Sequence, residues 1–350
     1  MSRHESAPMT NRPTRPDSPA RRREPGPASE EEFLALVDAA FPNVHAHMIL
    51  GRGDDCALLR CPGELVITTD LFLEDVHFRR SYFTAAEIGH KALAVNLSDL
   101  AAMGARPLGF SLALATPRDA DTALIEGLLE GMAALAERFD VALTGGDVSL
   151  GMGLCLSITA WGGPGPAVLR RGLGEPGDVI FALGPLGLAR VGLLALEDRG
   201  RDAANDFPEA CAAHLAPEPL VAEGLALAGL AKKGVAVRGA MDVSDGLAID
   251  LPRFLNPSGD RHAPGADLDP PEPHPEVPRW CAETGADPAL FALAGGEDYA
   301  LVAAAAPEAM DAVRAVLPRA CVLGRVTREP GLRLRGEPLH VRGWDHFSRT

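Results

Sequence analysis

Apolar positions along this chain follow two rhythms. Recurrence every three to four residues marks helices, and short apolar or alternating runs mark strands. The pattern predicts a helix over 31–40, then a polar turn through Gly51, Arg52, Gly53, Asp54 and Asp55 before strand-like residues 57–59. Residues 65–69 (LVITT) form a β-rich run ending at Asp70. Thr84 and Glu87 have capping-box spacing, and the helix they open carries Ile88, Leu93, Leu97 and Leu100 and stops at Gly104, with Pro107 beyond. A strand is expected over 110–115 and a helix from the spacing of Leu124, Leu128, Met132, Leu135 and Phe139. Residues 141–144 read as a strand entering a turn at Gly145, Gly146 and Asp147, and 154–161 as another strand. The cluster Gly162, Gly163, Pro164, Gly165 and Pro166 then marks a domain boundary.

The second half repeats the mixture, with a strand over 178–183, helices over 186–197 and 219–231, and a strand over 240–243 entering the turn Ser244, Asp245 and Gly246. Leu247, Leu251, Phe254 and Leu255 follow at helical spacing, with Pro252 among them, where it would remove a backbone hydrogen bond. Residues 256–278 are Pro-rich and read as a long surface excursion, and late strands are expected over 299–303 and 321–326. Such intermingling places the fold in the α/β or α+β class, and no repeat of solenoid period is present. The expected organisation is a disordered leader over 1–28, rich in Pro, Arg and Ser, an N-terminal domain over 29–163 and a C-terminal domain over 164–350.

Composition narrows the function. At 350 residues and 47% apolar, the chain can bury cores for two domains. Its formal charge of −15 disfavours nucleic acid and anionic membranes as partners. No apolar run reaches the length of a membrane span, and the leader lacks a signal-peptide core, so a cytoplasmic location is expected. Cys56, Cys61, Cys155, Cys211, Cys281 and Cys321 show no C-x-x-C spacing and fit a reducing compartment. Only Lys91, Lys232 and Lys233 are lysines among 33 basic residues, which leaves few candidates for a lysine-centred phosphate site.

The carboxylates carry the chemical signal. Asp54, Asp55, Asp70, Asp99, Asp147, Asp242 and Asp245 sit beside glycines or at the ends of apolar runs, where open sheets place ligands. Gathered together they would repel unless divalent cations lay among them, and hard oxygen donors suit Mg²⁺; Thr68 and Thr69 would add neutral oxygens. Singly, each has a simpler reading. Ser244 or Asp245 could cap the next helix, Asp99 could pair with a base along its helix, and the Gly-Asp-Asp run could be only a turn. Taken as a series they are read as a metal cluster. No P-loop, kinase signature or G-x-G-x-x-G motif is present, so phosphates would be held by metals, by N–H groups at turns such as Gly145 and Gly146, and by arginines such as Arg170 and Arg171.

These segments together resemble the thiamine-monophosphate kinases of the aminoimidazole-ribonucleotide-synthetase-like superfamily. The resemblance runs from about Glu31 to the C-terminus on GDDCALL, TTDLFLEDVHF, KALAVNLSDLAAMGARP, TGGD, RRGLGEPGD, MDVSDGL, GGEDYAL and GWDHF, of which GGEDY and GWDHF point to the thiamine-phosphate branch. It implies a two-domain α/β (α+β) fold, with an N-terminal sheet domain that dimerises and a C-terminal α+β domain. It also implies ATP as co-substrate, several Mg²⁺ ions, and transfer of a phosphoryl group to thiamine monophosphate. The implied metal ligands are Asp55, Thr68, Thr69, Asp70, Asp99, Asp147, Asp242 and Asp245. Nucleotide contacts would be Gly146, Asp147, Arg170 and Ser244, and substrate contacts His77, Glu297 and Trp344. The chain departs from the usual pattern at Asp75, His90, Val148 and Ser149, and Pro252. Two other readings are another enzyme of the superfamily, such as a selenide dikinase or a purine-pathway synthetase, and a non-catalytic sensor of nucleotide or thiamine phosphate.

Overall fold

The computed structural model describes residues 26–27, 29–52, 56–61, 63–260 and 262–339. In chain order the first elements are α1 (Glu30–Ala40), β1 (Met48–Leu50), β2 (Leu58–Leu59), β3 (Val66–Leu73), α2 (Ala85–Ala102), β4 (Ala105–Thr116), α3 (Thr122–Phe139), β5 (Ala142–Leu150) and β6 (Cys155–Pro164). There follow β7 (Val179–Leu183), α4 (Leu188–Arg199), α5 (Pro208–Leu215), α6 (Val221–Lys232), β8 (Val237–Val243) and α7 (Leu247–Leu255). The last are β9 (Gly265–Leu268), α8 (Glu276–Thr284), α9 (Pro288–Ala294), β10 (Ala300–Ala305), α10 (Met310–Val316), β11 (Cys321–Thr327), β12 (Leu332–Leu334) and β13 (Glu337–Pro338).

Local chemistry explains where the long helices begin. Thr84 Oγ1 accepts from the Glu87 N–H while the Glu87 carboxylate accepts from the Thr84 N–H, the capping box foreseen from their spacing. Asp121 caps α3 through the Leu124 N–H, and α3 ends on Asp140 in a left-handed conformation. Both helices cover one face of a four-stranded sheet of order β3-β6-β4-β5, in which only the β4/β5 pair is parallel. Among the described residues the opposite face is exposed along β3. Strand alternation puts Ile67, Thr69 and Leu71 on it, opposite Trp161, Thr159 and Ser157 of β6, with Ile67 61% exposed.

The second sheet has seven strands in the order β13-β12-β9-β11-β7-β10-β8. Its central strands are buried on both faces. Leu301, Ala303 and Ala305 of β10 join a core continuous with α2 and α3, whereas Val302 and Ala304 face a second core under α7. Helix α2 links the two sheets. Thirteen of its 18 residues are buried, against the first sheet and α3 on one side and α6 and β8 on the other. Such contact requires bare backbone. A Cβ on Gly89 would lie 1.9 Å from the Leu128 carbonyl oxygen, one on Gly131 2.0 Å from that of Ala86, and one on Gly224 of α6 2.0 Å from that of Ala101.

Several expectations are corrected. Asp70 lies inside β3, not at its end, because Leu71 to Leu73 continue the pairing with β6. Gly145, Gly146 and Asp147 are not a turn but part of β5, in parallel register with β4, and β6 runs on through Gly162 and Gly163 to Pro164. The Pro-rich span 256–278 is no mere excursion, since it supplies β9 to the second sheet with Ala266 and Leu268 fully buried. Helix α5 had no apolar period strong enough to reveal it. Pro252 does sit inside α7, and burial of Leu247, Leu251, Phe254 and Leu255 holds the helix across it. Of residues 1–28 only Gly26 and Pro27 are described, and Gly26 lies against the Ala120 backbone.

The packing yields a stability test. Gly131→Ala would add about 1 kcal/mol of helix propensity, but its Cβ would overlap a carbonyl oxygen and force α2 and α3 apart. The overlap should win, lowering stability by about 1–3 kcal/mol in urea unfolding, whereas Gly229→Ala on α6, where a Cβ meets nothing within 4 Å, should be neutral or stabilising.

Candidate functional site

A cavity of about 600 Å³ opens between the two sheets, bounded by β3, the loop after it, α2, α4, the turn after β8 and the segment before β10. One end is acidic. Alternation along β3 turns Thr68 and Asp70 to the same face, and both meet Asp99 in the last turn of α2. Thr68 Oγ1 donates to Asp99 Oδ2, and Ser98 Oγ donates to Asp242 Oδ2 at 3.0 Å from the neighbouring helix position. Burial and the Asp99 charge push Asp70 up to about 6, and the same two causes push Asp242 up to about 8. Asp99 is itself raised by burial, against the Thr68 hydrogen bond and the charge of Arg171. All three acids are thus raised chiefly by burial, and for Asp70 and Asp242 also by the charge of Asp99.

β8 delivers Asp242 and then turns sharply at Ser244, Asp245 and Gly246. The turn is fixed by Asp250 of α7, which is fully buried and accepts the N–H groups of Ser244 (3.0 Å) and Asp245 (2.8 Å). Arg253 bridges Asp245 and Asp250 at 2.5 and 3.0 Å. Both Ser244 and Asp245 line the cavity.

The other end is mixed in character. Phe72, Val76, Leu193 and Leu194 give it apolar walls. His77 stacks on Phe72 with centroids 5.6 Å apart, and its Nδ1 accepts the Leu73 N–H at 3.0 Å, which leaves the ring proton on Nε2. Arg79 pairs with Glu197 at 3.0 Å, and the Arg190 guanidinium lies 4.7 Å from the Phe291 ring centroid. Glu297 closes this end. Its backbone is left-handed at φ 64°, and its Oε2 accepts from Lys91 Nζ (3.2 Å) and His214 Nδ1 (2.9 Å). Despite burial, those two partners hold its carboxyl down at about 2. Next to it, Asp298 accepts the N–H groups of Gly187 and Ala189 and caps α4.

The structure therefore brings Thr68, Asp70, Asp99, Asp242, Ser244, Asp245, His77 and Glu297 together. It does not bring four others. Thr69 alternates to the open face of the sheet and pairs with Thr159 at 2.9 Å. Gly146 and Asp147 are exposed on β5, the edge strand, and neither lines the cavity. Arg170 is exposed, and its neighbour Arg171 is the arginine whose charge reaches Asp99. Asp55 and Trp344 fall outside the described residues. Among the described residues, no three His, Cys, Asp or Glu side chains close tightly enough to enclose an ion unaided. Sequence reasoning also missed Lys91, His214, Arg190 and Asp250. Lys91 could have been found, because apolar residues occupy every face of α2 around it and leave a lysine there no solvent to face.

Residues 53–163 match the family described as AIR synthase related protein, N-terminal domain, and residues 175–337 its C-terminal domain. The thiamine-monophosphate kinase of Synechococcus elongatus is 36% identical over 330 residues, 91% of this chain and 96% of that protein. The crystal structure of thiamine-monophosphate kinase from Stenotrophomonas maltophilia superposes with a TM-score of 0.76 at 34% identity, covering 88% of this chain and 96% of that one. The structure of AaThiL complexed with AMPPCP and TMP superposes with a TM-score of 0.72 at 27% identity, over 91% and 97% of the two chains. The fold is thus a mixed α/β fold of two AIR-synthase-related domains. No helix among the described residues is long and apolar enough to cross a membrane.

The Glu297 pairing sets an acid limb of stability. Its folded value of about 2 lies below the usual carboxylate range, so its contribution is complete above that range and fades as pH falls from about 4.5 toward 2. Glu297→Gln should melt well below the parent at pH 7, and the two melting temperatures should converge as pH approaches 2. A constant gap across that window would show that the ion pair contributes nothing.

Proposed function

This chain belongs to the thiamine-monophosphate kinase family, and we propose that it transfers the γ-phosphoryl group of ATP directly to the phosphate of thiamine monophosphate, releasing ADP and thiamine diphosphate. The observation that carries this reading is the two-ended cavity. Its acidic end suits a metal-bound triphosphate, and its apolar end with Glu297 suits a flat heteroaromatic cation. The relative solved with AMPPCP and TMP supports the same pairing of ligands.

Asp70, Asp99 and Asp242, with Thr68, Ser244 and Asp245 nearby, form an all-oxygen donor set that fits Mg²⁺. An incomplete protein cage also fits, because Mg²⁺ keeps waters and substrate phosphates in its shell. Bound there, Mg²⁺ would neutralise charge on the phosphates of both substrates. The chain's own part is to hold things still. Asp250 fixes the Ser244–Asp245 turn whose Ser244 hydroxyl would face the nucleotide, and Thr68 and Ser98 orient the carboxylates. His77 Nε2–H would donate to the acceptor, and Glu297 would receive the N–H or cationic edge of its rings. The attacking phosphate oxygen is already ionised at neutral pH, so no residue has to remove a proton from it. Transfer then needs no phosphoenzyme.

We further read the open face of the first sheet as the contact between two copies of the chain. Its apolar row of Ile67 and Leu71 beside Trp161 is larger than a solvated sheet needs. A cytoplasmic setting would keep the six free cysteines reduced.

Purified protein given ATP, Mg²⁺ and thiamine monophosphate should form thiamine diphosphate, EDTA should stop it, and added Mg²⁺ should restore it. Full turnover in excess chelator would sink the metal reading. Asp70→Asn should lower kcat by roughly two orders of magnitude, the loss typical of one electrostatic stabiliser of a transition state, with an unchanged melting temperature. For the dimer, Ile67→Asp should halve the mass seen by light scattering; an unchanged mass would refute that surface.

A further inference from the structure

Lys91 is out of place on every general expectation. Only three of the 33 basic residues are lysines, and the other two, Lys232 and Lys233, are exposed. Lys91 has no exposed surface at all. Its Nζ donates to Glu297 Oε2 at 3.2 Å, lies 3.3 Å from His214 Nδ1 and sits 5.5 Å from the centroid of the Phe83 ring. His214 is also buried, packs edge-on against Phe83 at 5.4 Å, and donates its Nδ1–H to the same Glu297 oxygen at 2.9 Å. Its Nε2 is buried without a hydrogen-bond partner among the described residues.

Replacing a whole buried ion pair of this kind by apolar residues of similar volume costs little net stability, although removing one partner alone leaves the other charge buried and costs more. A purely structural account would favour apolar residues at 91 and 214, which sit in an otherwise hydrophobic core. What the pair does achieve is geometric. It fixes one oxygen of Glu297, a residue already held in a left-handed conformation at the cavity wall, from two directions and two different helices. Ionisation of Glu297 at a buried site likewise depends on those two partners.

We propose that Lys91 and His214 are positioning residues that hold the Glu297 side chain aimed at the organic part of the phosphoryl acceptor, and so set affinity for that substrate and not for the nucleotide. The proposal rests on the reading of Glu297 as a contact of thiamine monophosphate. Lys91 and His214 act only through it and touch neither substrate. A deletion at either position is then felt as a loss of acceptor binding, and it has no further effect once Glu297 is gone.

The test is a double-mutant cycle on the full chain, with KM measured separately for thiamine monophosphate and ATP and melting temperature recorded alongside. Lys91→Met should raise KM for thiamine monophosphate tenfold or more while KM for ATP stays within twofold. Glu297→Gln should do the same, and the double variant should be no worse than Glu297→Gln alone. Should Lys91→Met fail to fold, His214→Leu roughly keeps the volume and removes the Nδ1–H donor along with the ring, and a three- to tenfold rise for thiamine monophosphate alone is expected. If Glu297→Gln raises KM for thiamine monophosphate but the Lys91 or His214 variant leaves it within twofold, the positioning role is wrong and the substrate reading stands. Effects that multiply in the double variant, or equal rises in both KM values, also overturn it. If Glu297→Gln leaves KM for thiamine monophosphate unchanged, the substrate reading itself falls.

Discussion

Helix α2 is buried on all sides, and that constraint shapes the rest of the molecule. A surface helix can turn its polar residues to water; α2 cannot. Each polar side chain on it must find a partner inside the protein or carry the full cost of desolvation, about 1–3 kcal/mol for a neutral group and more for a charge. Lys91 finds Glu297 and His214, Asn96 finds the Ala92 carbonyl, Ser98 finds Asp242 and Asp99 finds Thr68. Three of those four partnerships reach into other elements, namely β3, α5, β8 and the segment before β10. Packing one helix between two sheets thus brings the chemistry of both to a single place.

The cavity holds two kinds of carboxylate, and the difference lies in where the compensating cation comes from. For Glu297 it is covalently part of the chain, so the group stays ionised at the cavity wall. Asp99 and Asp242 have hydroxyl donors in Thr68 and Ser98, and among the described residues no ion pair reaches Asp70, Asp99 or Asp242 beyond the more distant charge of Arg171 on Asp99. Their raised values follow from burial beside one another. The first arrangement favours permanence, and the second leaves room for an ion that arrives with the substrate.

Sequence patterns revealed most of the architecture because its main devices are local. The Thr84–Glu87 box, the apolar spacing of α3 and the β-rich run of β3 all follow from neighbours within a few residues. The site was legible where acids lay beside glycines or inside apolar runs, as with Asp99, Asp242 and Asp245. It was not legible where tertiary register decides. Thr69 is separated from Thr68 and Asp70 by nothing but strand alternation, which the sequence displays and the family pattern obscured. The Gly-Gly-Asp run reads as a turn by composition, yet parallel pairing with β4 draws it straight, since Gly146 has the Leu112 carbonyl where a side chain would be. β9 hides among prolines because a four-residue strand carries too short a pattern. His214 and Lys91 are 123 residues apart, and no local rule joins them.

Glu297, Asp298 and Tyr299 are three consecutive residues with three separate anchors. Glu297 reaches down to α2 and α5, Asp298 caps α4, and the backbone N–H groups of Glu297 and Tyr299 donate to Ser244 and Val243 at 2.7 and 2.9 Å. Glu297 and Tyr299 both hold left-handed backbones, a conformation costing about 1–2 kcal/mol for residues with a Cβ. Glu and Asp differ by one methylene, and here each length is matched to the depth of its partner. A one-residue insertion or deletion between Gly295 and Tyr299 would offer the short acid to the buried lysine and the long one to the helix end, and neither would reach correctly. This loop at a cavity mouth, the kind of segment where chains usually tolerate changes in length, is therefore as intolerant of them as the middle of a central strand.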